Sequence, residues 1–140
     1  MAEEIQYGYT SMFSFTLIGE VPSKKNAWKR GKNGNVYIAG DVSDKLSDLM
    51  VQLRAHKNAC GITFPLRGQM QVDIAIHEPK TTCDLDNQIT SIFDLLQKTG
   101  VIYNDKEIVD IRAARVFSKE WKVEIALGAA LKLEGMKQSL

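Results

Sequence analysis

The segment Asp84-Leu85-Asp86-Asn87 sets two carboxylates two residues apart, directly before an amphipathic helical pattern that Gly100 closes and the polar pair Asn104-Asp105 follows. If residues 84–86 are extended, period-two alternation puts both carboxylates on one side and Leu85 on the other. A helix starting near Asn87 then holds that pair at its N-terminal end, and a short loop after Gly100 brings Asp105 back beside it. Three oxygen donors, Asp84, Asp86 and Asp105, suit a hard cation, Mg²⁺ or Mn²⁺. A calcium loop of the EF-hand kind is excluded. Counted from Asp84, its sixth and twelfth positions are Ile89 and Leu95, where Gly and Glu are required. A plainer reading stays open, in which Asp86 or Asn87 caps the helix and Asn104-Asp105 is a turn pair.

A second cluster is basic. Lys24, Lys25, Lys29, Arg30 and Lys32 are five of the 18 Lys and Arg residues, gathered in a stretch rich in Gly and Asn. Asn26, Trp28 and Arg30 interleave an amide, an aromatic ring and a guanidinium among the lysines, a mixture suited to phosphate contact with base stacking. Trp28 serves equally well as an anchor for the loop. Lys80 adds one cation just before the acidic motif. With a net charge of +1, any DNA surface has to be a local patch.

The elements that position these residues read as follows. Residues 1–10 are a polar lead-in. Met12–Ile18 alternates as a first strand, and Val36-Tyr37-Ile38 is a short returning strand after the basic loop. A helix capped by Asp41 or Ser43 runs to about His56, with Val42, Leu46, Leu49, Met50 and Leu53 as its apolar stripe. Met70–His77 alternates as a strand. In the following helix Ile89, Ile92, Phe93 and Leu96 form the core stripe, with Leu95 widening it, and Gly100 is the C′ residue. Asp94 pairs with Lys98 at i, i+4. Ile108–Val116 and Trp121–Leu127 are strands joined by a turn at 118–120. The tail from Gly128 has one helical-looking stretch and no clear partner.

The expected architecture is a single mixed α/β domain over 1–140, one mixed sheet with two main helices, and peripheral ends at 1–10 and 128–140. The composition is 44% hydrophobic and 25% charged, ordinary for a globular protein of one core. No apolar run approaches the roughly 20 residues that span a bilayer, and Met1-Ala2-Glu3-Glu4 lacks the features of a signal peptide. Cys60 and Cys83 form neither a disulfide framework nor a zinc spacing. His56 and His77 are isolated. The expected compartment is the cytoplasm, whether the gene is bacterial or carried by a phage.

The Asp84-Leu85-Asp86-Asn87 run, the helix with Phe93-Asp94-Leu95-Leu96, then Gly100-Val101-Ile102 and Asn104-Asp105 together resemble the RusA family of Holliday junction resolvases. Pro22-Ser23-Lys24-Lys25-Asn26 is a weaker likeness, similar to that family's Pro-Pro-Ser-x-Asn segment. The resemblance implies a RusA-like fold and a Mg²⁺-dependent, or Mn²⁺-dependent, endonuclease that cuts four-way DNA junctions as a homodimer, in recombination and repair. Carried over residue by residue, it makes Asp84, Asp86 and Asp105 the metal-binding catalytic carboxylates. It is compatible with DNA contacts from Lys24, Lys25, Asn26, Lys29, Arg30 and Lys80. Two departures stand out. The family's lysine four residues after the second aspartate is Thr90 here, and the acidic pair is Asn104-Asp105. Lys24, Lys25, Lys80 and Lys106 are the cations that would replace the lysine. A catalytically weak protein that binds branched DNA is the alternative.

Overall fold

The computed structural model describes residues 7–24, 28–32, 34, 36–38 and 40–132. The elements run β1 (Tyr7–Ile18), β2 (Trp28–Arg30), β3 (Val36–Ile38), α1 (Gly40–Ala59), β4 (Met70–Glu78), α2 (Leu85–Lys98), a 3-10 turn (Asp105–Glu107), β5 (Ile108–Phe117) and β6 (Lys122–Lys132). The main sheet has the order β1-β6-β4-β5, and β2 with β3 forms a separate two-stranded hairpin. Strand β6 is antiparallel to both β1 and β4, whereas β5 runs parallel to β4. The sheet is mixed, and α2 is the crossover that joins its parallel pair.

Period-two alternation puts one face of the sheet in the core. Phe13, Phe15 and Leu17 of β1, Val72, Ile74 and Ile76 of β4, and Val123, Ile125 and Leu127 of β6 are buried. The two helices cover that face with Leu46, Leu49 and Leu53 of α1 and Ile92, Leu95 and Leu96 of α2. The α1 stripe matches the sequence pattern, whereas that of α2 is rotated: Gln88 and Ser91 are buried with Ile92, Leu95 and Leu96, and Ile89 and Phe93 pack at the edge, as Val42 and Met50 do on α1. Among the described residues no helix is long and apolar enough to cross a membrane.

The ends differ from the sequence reading. Strand β1 begins at Tyr7 and β6 continues to Lys132, with Tyr7 opposite Lys132 and Thr10 opposite Ala129. Met12 is the extra residue of a bulge that interrupts the alternation and hides the start of the strand. The Ala and Leu residues after Gly128 have helical propensity, but a place between β1 and β4 overrides it. Strands β5 and β6 follow one another without pairing, since β4 lies between them. Their connection crosses the end of β4, where Ser118 N donates to Glu78 O at 3.2 Å. Helix α1 begins at Gly40, earlier than Asp41 or Ser43 as a cap implies, and extends past His56 to Ala59.

Gly100 ends α2 as expected. Its φ is +73°, Val101 N donates to Leu96 O and Gly100 N to Gln97 O, both at 3.0 Å, which is a Schellman closure. Lys57 of α1 donates to Thr99 O at 2.9 Å and fastens the end of one helix to the other. A Cβ on Gly100 would lie 3.2 Å from that ammonium. Replacing Gly100 with Ala is therefore expected to cost about 1–2 kcal/mol, because an L side chain pays for the left-handed conformation. Urea unfolding of the parent and Gly100→Ala measures it.

Candidate active site

Helix α2 starts earlier than the sequence suggests. Asp84 is its N-cap residue, with extended φ −69° and ψ 143°, and Leu85 is already helical. Asp86 therefore lies on the first turn, and the strand-like alternation of 84–86 is not what places the two carboxylates together. The helix wins because Gln88 N can bond Asp84 O at 3.2 Å, while the chain leaves β4 at Glu78 with no strand partner for 84–86.

The Asp84 carboxylate takes no capping hydrogen bond although it occupies the capping position. Among the described residues neither Asp84 nor Asp86 has an ion-pair partner, and both are exposed. Asn104 behaves in the opposite way: its side chain accepts from Lys106 N at 2.9 Å and caps the 3-10 turn. Asn104 thus caps its turn as the plain reading has it, while the cap position of α2 falls on Asp84 and not on Asp86 or Asn87.

A buried polar network holds this end of α2. Gln88 is fully buried, and its Nε2 donates to Val21 O and to Glu78 Oε1, both at 3.0 Å. Arg115 of β5 donates to Gln88 Oε1 from Nη2 at 3.2 Å and from Nε at 3.3 Å, and it also donates to the carbonyl of Cys83. Glu78 is completely buried, and the Arg115 guanidinium stands 4.0 Å from its Oε1. One amide thereby links the segment after β1 with β4, β5 and α2 directly behind the acidic motif, with donors and acceptors matched at both of its ends. Sequence reasoning missed Glu78, Gln88 and Arg115. Glu78 stands where the alternation of β4 demands core, Gln88 reads only as a polar residue of the helix, and nothing along the chain marks Arg115. Burial pushes the Cys83 thiol up, so it is a neutral neighbour of Asp84 at neutral pH.

Asp105 does not join this pair within one chain. It sits in the 3-10 turn before β5, its amide 3.4 Å from Gln97 Oε1. Gln97 lies eleven residues beyond Asp86, about 16 Å of helix rise. Asp84 and Asp86 stand at the carboxyl ends of the parallel strands, and Asp105 at the amino end of β5. A connecting helix that returns along the sheet separates its two ends by its own length. Among the described residues no three His, Cys, Asp or Glu side chains form a metal-ligand group.

The basic residues divide. Lys25 and Asn26 lie outside the described residues, and Lys29 and Arg30 are described only as the backbone of β2, paired with Tyr37 and Val36. Lys80 is exposed on the β4–α2 connection, and Lys106 is exposed in the 3-10 turn. Lys24 is fixed on α2: its amide donates to Ser91 Oγ at 3.3 Å and its ammonium to Asp94 Oδ2 at 2.7 Å. The expected Lys98–Asp94 pair is present at 3.1 Å. Burial pushes the Asp94 carboxyl up, but hydrogen bonds from Lys24 and Lys98 outweigh it and hold it below the usual carboxylate range. Thr90 is exposed, and its hydroxyl donates to Asp86 O at 3.0 Å.

A family profile described as endodeoxyribonuclease RusA matches residues 19–128. The chain belongs to the RusA endodeoxyribonuclease family. A crossover junction endodeoxyribonuclease RusA from Aquifex aeolicus (strain VF5) is 28% identical over 97 residues, covering 69% of this chain and 74% of the relative. The matched span takes in Lys24, Asp84, Asp86 and Asp105 together with Glu78, Gln88 and Arg115. In this RusA-family chain, then, the acidic motif lies on the family core, and a concavity of about 670 Å³ lined by Ser14, Thr16, Asp73, Arg112 and Glu124 lies on the sheet instead.

Replacing Gln88 with Leu removes the amide while keeping its bulk, leaving Val21 O, Glu78 Oε1 and the Arg115 donors without their partner. Each buried group so orphaned costs about 1–3 kcal/mol. Urea unfolding is expected to show a loss at the upper end of that range, whereas Gln97→Leu, half-buried at the other end of the helix, is expected to cost less.

Proposed function

We propose that this protein is a divalent-metal-dependent endonuclease that cuts branched DNA, four-way junctions above all, as a homodimer. One observation carries the reading: Asp84 and Asp86 flank the start of α2 with carboxylates that have no capping or ion-pair partner among the described residues, on a backbone that Arg115 and Gln88 hold in place. Mg²⁺ is commonly bound by one or two carboxylates together with substrate phosphate oxygens and water, so this pair fits the ion as a partial ligand set. Bound there, a divalent cation supplies a Lewis acid for the phosphoryl group and acidifies water near it. The chain's own part is positioning. The helix N-terminus offers backbone N–H groups and the positive end of the dipole to a phosphate, at the carboxyl ends of parallel strands where open α/β sheets bind ligands.

The homodimer is supported by the outer edge of the sheet. Strand β5 is an edge of ten residues that exposes Val109 at 40%, Ile111 at 45% and Phe117 at 70%. An unpaired apolar edge is a template for another chain. Two copies paired antiparallel along β5 would share a two-fold axis. The start of each β5 would then meet the end of the other, so Asp105 of one copy approaches the Asp84–Asp86 pair of its neighbour. A junction of two-fold symmetry presents two strands to two such sites.

Mn²⁺ or Mg²⁺ at millimolar concentration is expected to raise the melting temperature by mass action and to switch on cleavage of an immobile four-way junction. Asp86→Asn abolishes both effects while leaving the metal-free melting curve near that of the parent. A parent that melts identically with and without metal, or cuts equally in EDTA, sinks the reading. The edge is tested separately. Ile111→Lys is expected to sediment as a monomer and lose cleavage, while Asp86→Asn loses cleavage and remains dimeric.

A further inference from the structure

Cleavage of a phosphodiester develops negative charge that two carboxylates cannot neutralise, so a cation other than the metal has work to do beside Asp84 and Asp86. Residues Asp86, Thr90, Asp94 and Lys98 are spaced four apart and form one stripe along α2. Asp94 on that stripe holds two ammonium groups, Lys24 at 2.7 Å and Lys98 at 3.1 Å, and carries only one negative charge. The cluster therefore has one cation in excess.

Lys24 is the one whose root lies nearer the acidic motif. Val21 O accepts from Gln88, and the Lys24 amide donates to Ser91, so the segment after β1 is laid along the first half of α2. Its main chain stands beside Ser91, the residue after Thr90. From there a four-carbon side chain reaches either up the helix to Asp94 or down it toward Asp86. Lys98 starts a full turn beyond Asp94, on the side away from the motif. Turning Lys24 toward a phosphate leaves Asp94 paired with Lys98, so no half-buried carboxylate is stranded. The exposures of the paired side chains, 21% for Lys24 and 35% for Asp94, leave the ammonium accessible from solvent.

We propose that Lys24 is the cation that contacts the scissile phosphate, delivered from the β1–β2 connection, and that Asp94 is its positioning residue. Lys80 and Lys106 do not share this placement. Lys80 projects from the β4–α2 connection, and Lys106 lies with Asp105 at the far end of α2. The proposal rests on the nuclease reading above.

The test is single-turnover cleavage of one immobile four-way junction at saturating Mn²⁺, with junction affinity measured in Ca²⁺. Lys24→Ala is expected to lower the rate by about 10²–10³, the usual effect of removing one charge-stabilising group from a transition state, with affinity changed by less than about threefold. Thr90→Lys in the Lys24→Ala background puts an ammonium on the same stripe one turn from Asp86, and is expected to restore much of the rate. A merely structural role for Lys24 predicts no such rescue. Asp94→Asn is expected to slow cleavage and keep affinity, with the melting temperature of each variant checking its fold. Parent-like cleavage by Lys24→Ala, or a double variant as slow as Lys24→Ala, overturns the assignment and leaves the nuclease reading standing. A silent parent that Thr90→Lys activates also overturns it, since the charge at that position is then missing. If parent and Thr90→Lys are both silent, the nuclease reading fails and the Lys24 assignment falls with it.

Discussion

Glu78 is completely buried at the end of β4, and the rest of this region is arranged to tolerate that carboxylate. A charge taken out of water costs several kcal/mol unless hydrogen bonds and an opposite charge answer it. Here the opposite charge, Arg115, stands 4.0 Å away, too far for a close pair, and the Gln88 amide fills the gap by donating to Glu78 Oε1 and accepting from Arg115, while Glu78 Oε2 takes no hydrogen bond among the described residues. The network ties the central strand to the edge strand and both to the first turn of α2. It also reaches the Cys83 carbonyl, immediately before the acidic motif. Such a network makes the direction of the chain entering α2 a consequence of core electrostatics.

The same arrangement accounts for the state of the acidic pair. A helix start ordinarily recruits an aspartate as a cap, which would consume the carboxylate in a bond to its own backbone. Here the entry to α2 is held from behind by Arg115 and Gln88, so the cap bond is dispensable and the Asp84 carboxylate faces solvent. Asp86 shares the favourable end of the helix dipole. Two like charges at one helix start are tolerable in water and become useful when a divalent cation arrives. The Lys24–Asp94–Lys98 cluster brings positive charge along the same helix, so carboxylates and ammonium groups alternate over its exposed stripe.

Much of this was legible from residue order. The apolar stripe of α1, the alternation of β4, the short returning strand Val36–Ile38, the Gly100 stop and the Asp94–Lys98 pair all follow from local periodicity and turn chemistry, which depend on neighbours a few residues away. The family likeness carried by Asp84-Leu85-Asp86-Asn87 and Gly100-Val101-Ile102 was equally local. Strand ends were less readable. The bulge at Met12 broke the alternation, and the small residues after Gly128 gave no strand signal of their own, because β-structure there is stabilised by pairing across the chain.

Sequence by itself determined which residue types flank α2, that the domain has one mixed sheet with two helices, and that a carboxylate pair precedes a helix. Only the tertiary structure decided how those pieces meet. Parallel pairing of β4 with β5 puts Arg115 two residues short of the position facing Glu78, which no spacing along the chain reveals. The return of α2 along the sheet sends Asp105 to the opposite end from Asp84 and Asp86, although a short loop in sequence suggested proximity. The segment after β1 laid Lys24 against Ser91 and Asp94, some seventy residues away in sequence. The physical reason is common to all three. Local propensity acts over a turn or two, whereas register, crossover direction and ion pairing are set by which buried surfaces and charges can be satisfied together in one packed core.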